Sequence, residues 1–179
     1  MTNAALSPER SDLLEALATH RDLFRQTAQG LTDEQARLTP TASALSVGGL
    51  IKHVAAVEQA WSDFMVDGGG MNSASNEIDW SHPDPAVMQA YEDGFRLLET
   101  ETLAEVLDEY ARVAAVTDRL VAELPDLDRS FPLPAAPWFP QNGVRSVRRT
   151  IAHIIAETSQ HAGHADIIRE TIDGAKTMG

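Results

Sequence analysis

Apolar periodicity constrains this chain more than any other feature. Four long segments repeat apolar residues every three or four positions, and no segment alternates apolar and polar residues over a useful length. The first opens at Ser7-Pro8, a capping residue followed by the residue best suited to the first helical position, and carries Leu13, Leu17, His20, Phe24 and Leu31 at core spacing. It predicts a helix over residues 8–29, ending near Gly30. The stretch LTDEQARLTPTAS has room for one short helical turn before Ser46 caps a second helix, whose stripe is Leu50, Val54, Val57, Trp61 and Phe64 and which ends near Asp67. Beyond it, GGGMNSASNEIDWSHPDP is dense in turn residues and reads as a long loop, of the kind that is often functional in a compact domain. A weaker helical segment follows Pro85. Thr102 and Glu105 then form a capping box for a third long helix through Leu124, with Leu103, Val106, Leu107, Tyr110, Val113 and Leu120 inward. The five prolines of PDLDRSFPLPAAPWFPQNG exclude a helix and predict an irregular crossover. Ser146 opens the fourth helix, which ends near Gly174. The expected fold is all-α, an irregular four-helix bundle with two long connections, and residues 1–179 are expected to form one domain.

Composition narrows the chemistry. With 14 basic and 27 acidic residues the formal charge is −13, and without a basic stripe neither nucleic acid nor an anionic membrane is an expected partner. No apolar run approaches the length of a membrane span, and the first residues lack the order of a signal peptide, so a cytoplasmic protein is expected. The absence of cysteine removes a protein thiolate as nucleophile and the softest metal ligands. Any metal must be held by His and carboxylate, and any sulfur chemistry needs a thiol brought by a small molecule.

The chemistry-bearing residues concentrate on the fourth helix, where His153, Glu157, His161 and His164 follow one another at spacings of four, four and three. With Glu157 at zero on a helical wheel, His161 falls at about 40°, His164 at about −20° and His153 at about −40°, while Val147, Ile151, Ile154 and Ala165 lie at about 60° to 120°. The cluster therefore flanks the core stripe, and His53 stands at the matching edge of the second helix. A divalent metal held by His53 and the ExxxH pair of Glu157 and His161 fits this arrangement, with coordination positions left for water or substrate. Surface ExxxH pairs without a metal are common, and a single His beside an apolar stripe often serves packing alone. His20 reads as a half-buried packing residue, His82 as a solvated loop residue, and Trp61 as core or as the wall of a pocket beside His53.

The segments LSVGGLIKHVAAVEQAW and IAHIIAETSQHAGHADIIRETIDG resemble the two signature stretches of the DinB-like metalloprotein superfamily, in its actinobacterial branch, and the resemblance runs over nearly the whole chain. Its most specific part is HAGHADIIRE. It implies a bundle that binds a divalent metal at one end, with His53, Glu157 and His161 at the ligand positions. Zinc is the favoured ion, because two His and one Glu leave an open tetrahedral position, and nickel or manganese would accept the same N and O donors. His164 stands where relatives often carry Gln, which implies a role supporting the ligands, facing the substrate or moving a proton. His153 lies one turn too early and is expected to pack.

The same resemblance implies an activity. Several relatives transfer low-molecular-weight thiols such as mycothiol or bacillithiol, which suits a chain without cysteine. Expected here is metal-dependent S-transfer of a small thiol, mycothiol first, to an electrophile, with the loop from Gly68 to Pro85 as a lid or pocket wall. A counterpart to the additional C-terminal domain of mycothiol-dependent maleylpyruvate isomerase is not present after the fourth helix, so that isomerisation is not expected. Two other readings stay open: metal-assisted hydrolysis of an ester or amide, and a non-catalytic, stress-related metal-binding module. A homodimer fits the resemblance.

Overall fold

A computed structural model describes residues 6–69, 82 and 84–177. Its long helices are α1 (Pro8–Gln26), α3 (Val47–Asp67), α5 (Leu103–Glu123) and α6 (Val147–Asp173), and two short ones, α2 (Asp33–Arg37) and α4 (Pro85–Asp93), sit in the connections. Each long helix starts where a hydroxyl side chain accepts an otherwise unpartnered N–H. Ser7 takes that of Arg10, Ser46 that of Gly49, Thr102 that of Glu105 and Ser146 that of Arg149. Helices α3 and α6 stop at Gly68 and Gly174, whose φ values of 81° and 79° only glycine adopts without strain.

Around the bundle α3 packs against α5 and α6, and α1 closes the ring by packing against α6 and, less extensively, α5. One core cluster, built on Phe24, Leu50, Ile51, Val54, Tyr110 and Ile168, fills the end where α3 begins. A second, built on Leu17, Trp61, Phe64, Met65, Val147 and Ile151, fills the other. The all-α bundle expected from periodicity is the fold observed.

The proline-rich crossover is more ordered than its composition suggested. Within it β1 (Ser130–Pro132) pairs antiparallel with β2 (Val144–Ser146), Ser130 facing Ser146 and Phe131 facing Arg145. Proline is tolerated there because a two-stranded ribbon has only edges. The pair delivers the chain to the Ser146 cap, and the N–H groups of Val147 and Arg148 donate to the carbonyls of Arg129 and Leu127. The 68–85 connection, expected as a lid, lies mostly outside the described residues.

Candidate metal centre

His53 is placed by an unusually close approach of two chain segments. A side chain at Gly49, one turn before it on α3, would bring its Cβ to 2.0 Å from the Phe95 carbonyl oxygen, so only glycine lets the Phe95 backbone lie on the helix. Lys52 pins that backbone by donating to the Asp93 carbonyl at 3.1 Å, the Arg96 carbonyl at 3.3 Å and the Glu101 carboxylate at 2.7 Å. The Phe95 ring consequently stacks on His53, centroids 4.1 Å apart and planes inclined by 22°. One face of the imidazole is thereby covered and the ring oriented.

Helix α6 brings the other two groups. The His161 ring meets His53 edge-on, centroids 5.1 Å apart, and one ligand atom from each of His53, Glu157 and His161 lies within 4.8 Å of the others. All three are half-buried. Glu157 is flanked on its own helix, with Oε1 3.5 Å from His153 Nε2 and Oε2 3.5 Å from His161 Nε2. Burial, and next the His161 ring, pushes the His53 pKa down to about 4, with Glu157 opposing. The His161 imidazole, then His153 and His53, hold the Glu157 carboxyl below its usual range against the opposing effect of burial. Near neutral pH the cluster is thus a lone-pair-bearing His53 beside an ionised carboxylate. Two imidazoles and one carboxylate converging from two helices, with no cationic side chain paired to the carboxylate other than histidine among the described residues, are a donor set suited to a divalent ion.

The remaining histidines separate clearly. His164 is exposed and its Nδ1 stands 3.4 Å from His161 Nδ1, so among the described residues it meets the cluster through His161. His153 meets Trp61 edge-on at 5.1 Å, and burial, with Arg145 and Arg149 adding, lowers its pKa. His20 is half-buried on α1 and His82 exposed. Trp61 is core, only 1% exposed, and its ring is covered by His153, Phe139 and the Arg145 guanidinium.

Comparison with known proteins decides the family. The mycothiol-S-transferase family model matches residues 12–174, nearly the whole chain. The chain belongs to the mycothiol-S-transferase family. Membership supports a thiol S-transferase-like function and agrees with the DinB-like signatures on α3 and α6. No curated protein matches. Among solved structures, a conserved protein from Enterococcus faecalis shares the fold at 17% identity, with a TM-score of 0.64 over 92% of this chain and 97% of that one.

Relative to other positions in this mycothiol-S-transferase family chain, Phe95, Lys52, Glu101 and Arg145 are the residues around the centre that periodicity did not single out. The paired glycines Gly48 and Gly49, both buried in the first turn of α3, are the signal that marks a close backbone approach. Nothing local marks Arg145, which stands on β2 and lays its guanidinium on Trp61, the ring that His153 also meets.

Proposed function

We propose that this chain is a metal-dependent S-transferase that joins a low-molecular-weight thiol, mycothiol first, to an electrophile. His53, Glu157 and His161 hold the divalent cation, zinc before nickel or manganese. The observation that carries the reading is the convergence of these donors within 4.8 Å in a chain of a thiol-transfer family that has no cysteine of its own. A divalent cation there supplies the Lewis acidity that brings a substrate thiol's pKa toward neutrality.

The chain's residues do the rest. Burial keeps His53 unprotonated at neutral pH, so its ring nitrogen is free to ligate, and Phe95 holds that ring in place. Glu157 contributes the negative charge. His164, exposed and in reach of His161, accepts the proton the thiol gives up as its sulfur bonds to the electrophilic carbon, which in turn releases a leaving group with its bonding pair or yields the pair of a π bond to the neighbouring atom. Residues 1–179 act as one domain in the cytoplasm; none of the described helices is long and apolar enough to cross a membrane.

The test is thiol consumption by zinc-loaded protein with a model electrophile, run across a panel of thiols and without thiol. Thiol-dependent turnover is expected. Turnover without thiol would replace the proposal with hydrolysis, and zinc binding without turnover of either kind would replace it with a non-catalytic role.

A further inference from the structure

Beside the metal centre lies a cation that the proposed reaction does not use. Arg145, on β2 two residues before α6, places its guanidinium carbon 4.4 Å from the centre of the Trp61 ring and 5.6 Å from that of Phe139. Trp61 also carries the edge of His153, whose Nε2 is 3.5 Å from Glu157. Arg145 is thus separated from Glu157 by Trp61 and His153, yet close enough to Glu157 and His153 for its charge to act on both.

Its hydrogen bonding is unfinished. Arg145 Nη1 is buried and has no hydrogen-bond partner, and among the described residues it is the only charged side-chain atom in that condition. By contrast Arg21, Arg37, Arg148 and Arg169 spend their donors on named carbonyls or carboxylates. A guanidinium does not escape the cost of such burial by losing its proton, because it stays charged at any physiological pH. Arg149, one turn further along, adds a second positive charge beside His153. In a chain of net charge −13, this rim is a local positive field next to the reacting end.

We propose that Arg145 recognises a carboxylate carried by one of the two substrates and so selects which molecules are presented to the His53, Glu157 and His161 end. The inference rests on the S-transferase reading for what reacts there, while the carboxylate site itself stands on Arg145 alone. Nη1 is sealed against the aromatic rings, but the side chain is only half-buried and neither Nε nor Nη2 is among the buried unpartnered atoms, so that edge is the part left to bind, and a planar carboxylate with two acceptor oxygens matches it. Mycothiol offers no free carboxylate, its cysteine carboxyl being tied up in an amide, so with that thiol the carboxylate belongs to the electrophile; a carboxylate on the thiol would make the thiol a different one.

Calorimetry separates these sources. Zinc-loaded protein is titrated with 3-mercaptopropionate and its methyl ester, then, in saturating 2-mercaptoethanol, with 4-phenylbutyrate and its methyl ester. The acid should bind at least about tenfold more tightly than the ester in one arm, a gain in keeping with charge-assisted hydrogen bonds. The first arm places the carboxylate on the thiol and the second on the electrophile. In Arg145→Gln the preference should fall below about twofold, with Arg145→Lys between. In metal-free wild type, the Arg145 guanidinium NMR signal should shift with 4-phenylbutyrate and not with its ester. That shift without thiol binding to the zinc-loaded protein would sink the S-transferase reading and keep the carboxylate site. Equal binding of acid and ester in both arms with an unresponsive Arg145 signal, or a preference that survives in Arg145→Gln, overturns the proposal.

Discussion

Helix α3 carries two polar clusters five residues apart, and they are built on opposite plans. At Glu58 the carboxylate is 1% exposed and receives Arg21 Nη2 at 2.5 Å, while Arg21 Nη1 reaches Asp118 on α5 at 2.7 Å. Burial alone would depress the Arg21 pKa, but the two carboxylates hold it above its ordinary value. Donors meet acceptors, and the buried carboxylate has its cation. At His53 the neighbours are Glu157, His161 and, beyond them, His153 and His164, all groups that offer lone pairs. The same helix and similar residue types thus give one cluster that is complete within the chain and one that gathers donors for something else. Burial of a carboxylate does not distinguish them; the presence of a matching cation does.

The sharpest break of this comparison is Arg21→Ala, which strands Glu58 in the core. A loss of about 3–5 kcal/mol is expected, read as a lower urea midpoint of the metal-free protein. Arg21→Met combined with Glu58→Leu should recover most of it, since removing both charges removes the desolvation cost together with the attraction. Zinc affinity of the double variant should match wild type. A large loss of affinity would mean that the two clusters are one.

The second cluster should behave in the reverse way, contributing little until loaded. Zinc at about 100 times its Kd should stabilise wild type by about 2.7 kcal/mol, seen as a rise in thermal midpoint. His53→Ala and His161→Ala should abolish that rise, and metal analysis of protein purified without added metal should find zinc in wild type but not in His161→Ala. Equal metal content in both would remove His161 from the ligand set.

Acid offers a finer distinction. His53 has a folded pKa of about 4 against an ordinary 6.5, so the unfolded chain takes up its proton first. The stability this group contributes is complete above about pH 6.5 and is lost as pH falls toward 4. One proton sets a ceiling of about 1.4 kcal/mol per pH unit, and the half-buried ring should give less. His153, also lowered, has the same sign, and Glu157 extends the loss to lower pH. Urea midpoints of metal-free protein from pH 8 to pH 4.5 should therefore fall, and His53→Asn should flatten that fall without abolishing it. A variant with the wild-type slope would show that His53 is not the depressed group.

These contrasts also show what can be read from the chain itself. The four long helices were legible because their signals are local: a hydroxyl cap at Ser7, Ser46, Thr102 and Ser146, and an apolar stripe after each. The pairing of Glu157 with His161 was legible for the same reason, since residues four apart share a helical face. His53 required knowing which edges of α3 and α6 meet, and the family signature supplied that. Contacts between distant segments left no local mark beyond the Gly48–Gly49 pair under the Phe95 backbone. The Arg21 ion pairs, the Phe95 ring on His53 and the Arg145 guanidinium on Trp61 each join elements separated by tens of residues, and the β1–β2 pair sits where proline count argued for irregular chain.

The smallest expected effect on stability is at His164, and it is the most discriminating for the reaction. The side chain is exposed and among the described residues meets the cluster through His161, so His164→Gln should unfold within about 0.5 kcal/mol of wild type. Two roles remain separable by what changes beyond that. If His164 only orients the His161 ring, glutamine should preserve the shape of the kcat/KM pH profile while zinc affinity falls by about tenfold or more. If it takes the thiol's proton, zinc affinity should stay near wild type, kcat should fall about a hundredfold, and the shape of the profile should change. Exposure favours the second, because a group that only braces a ligand gains from being held, whereas one that passes a proton onward must reach water.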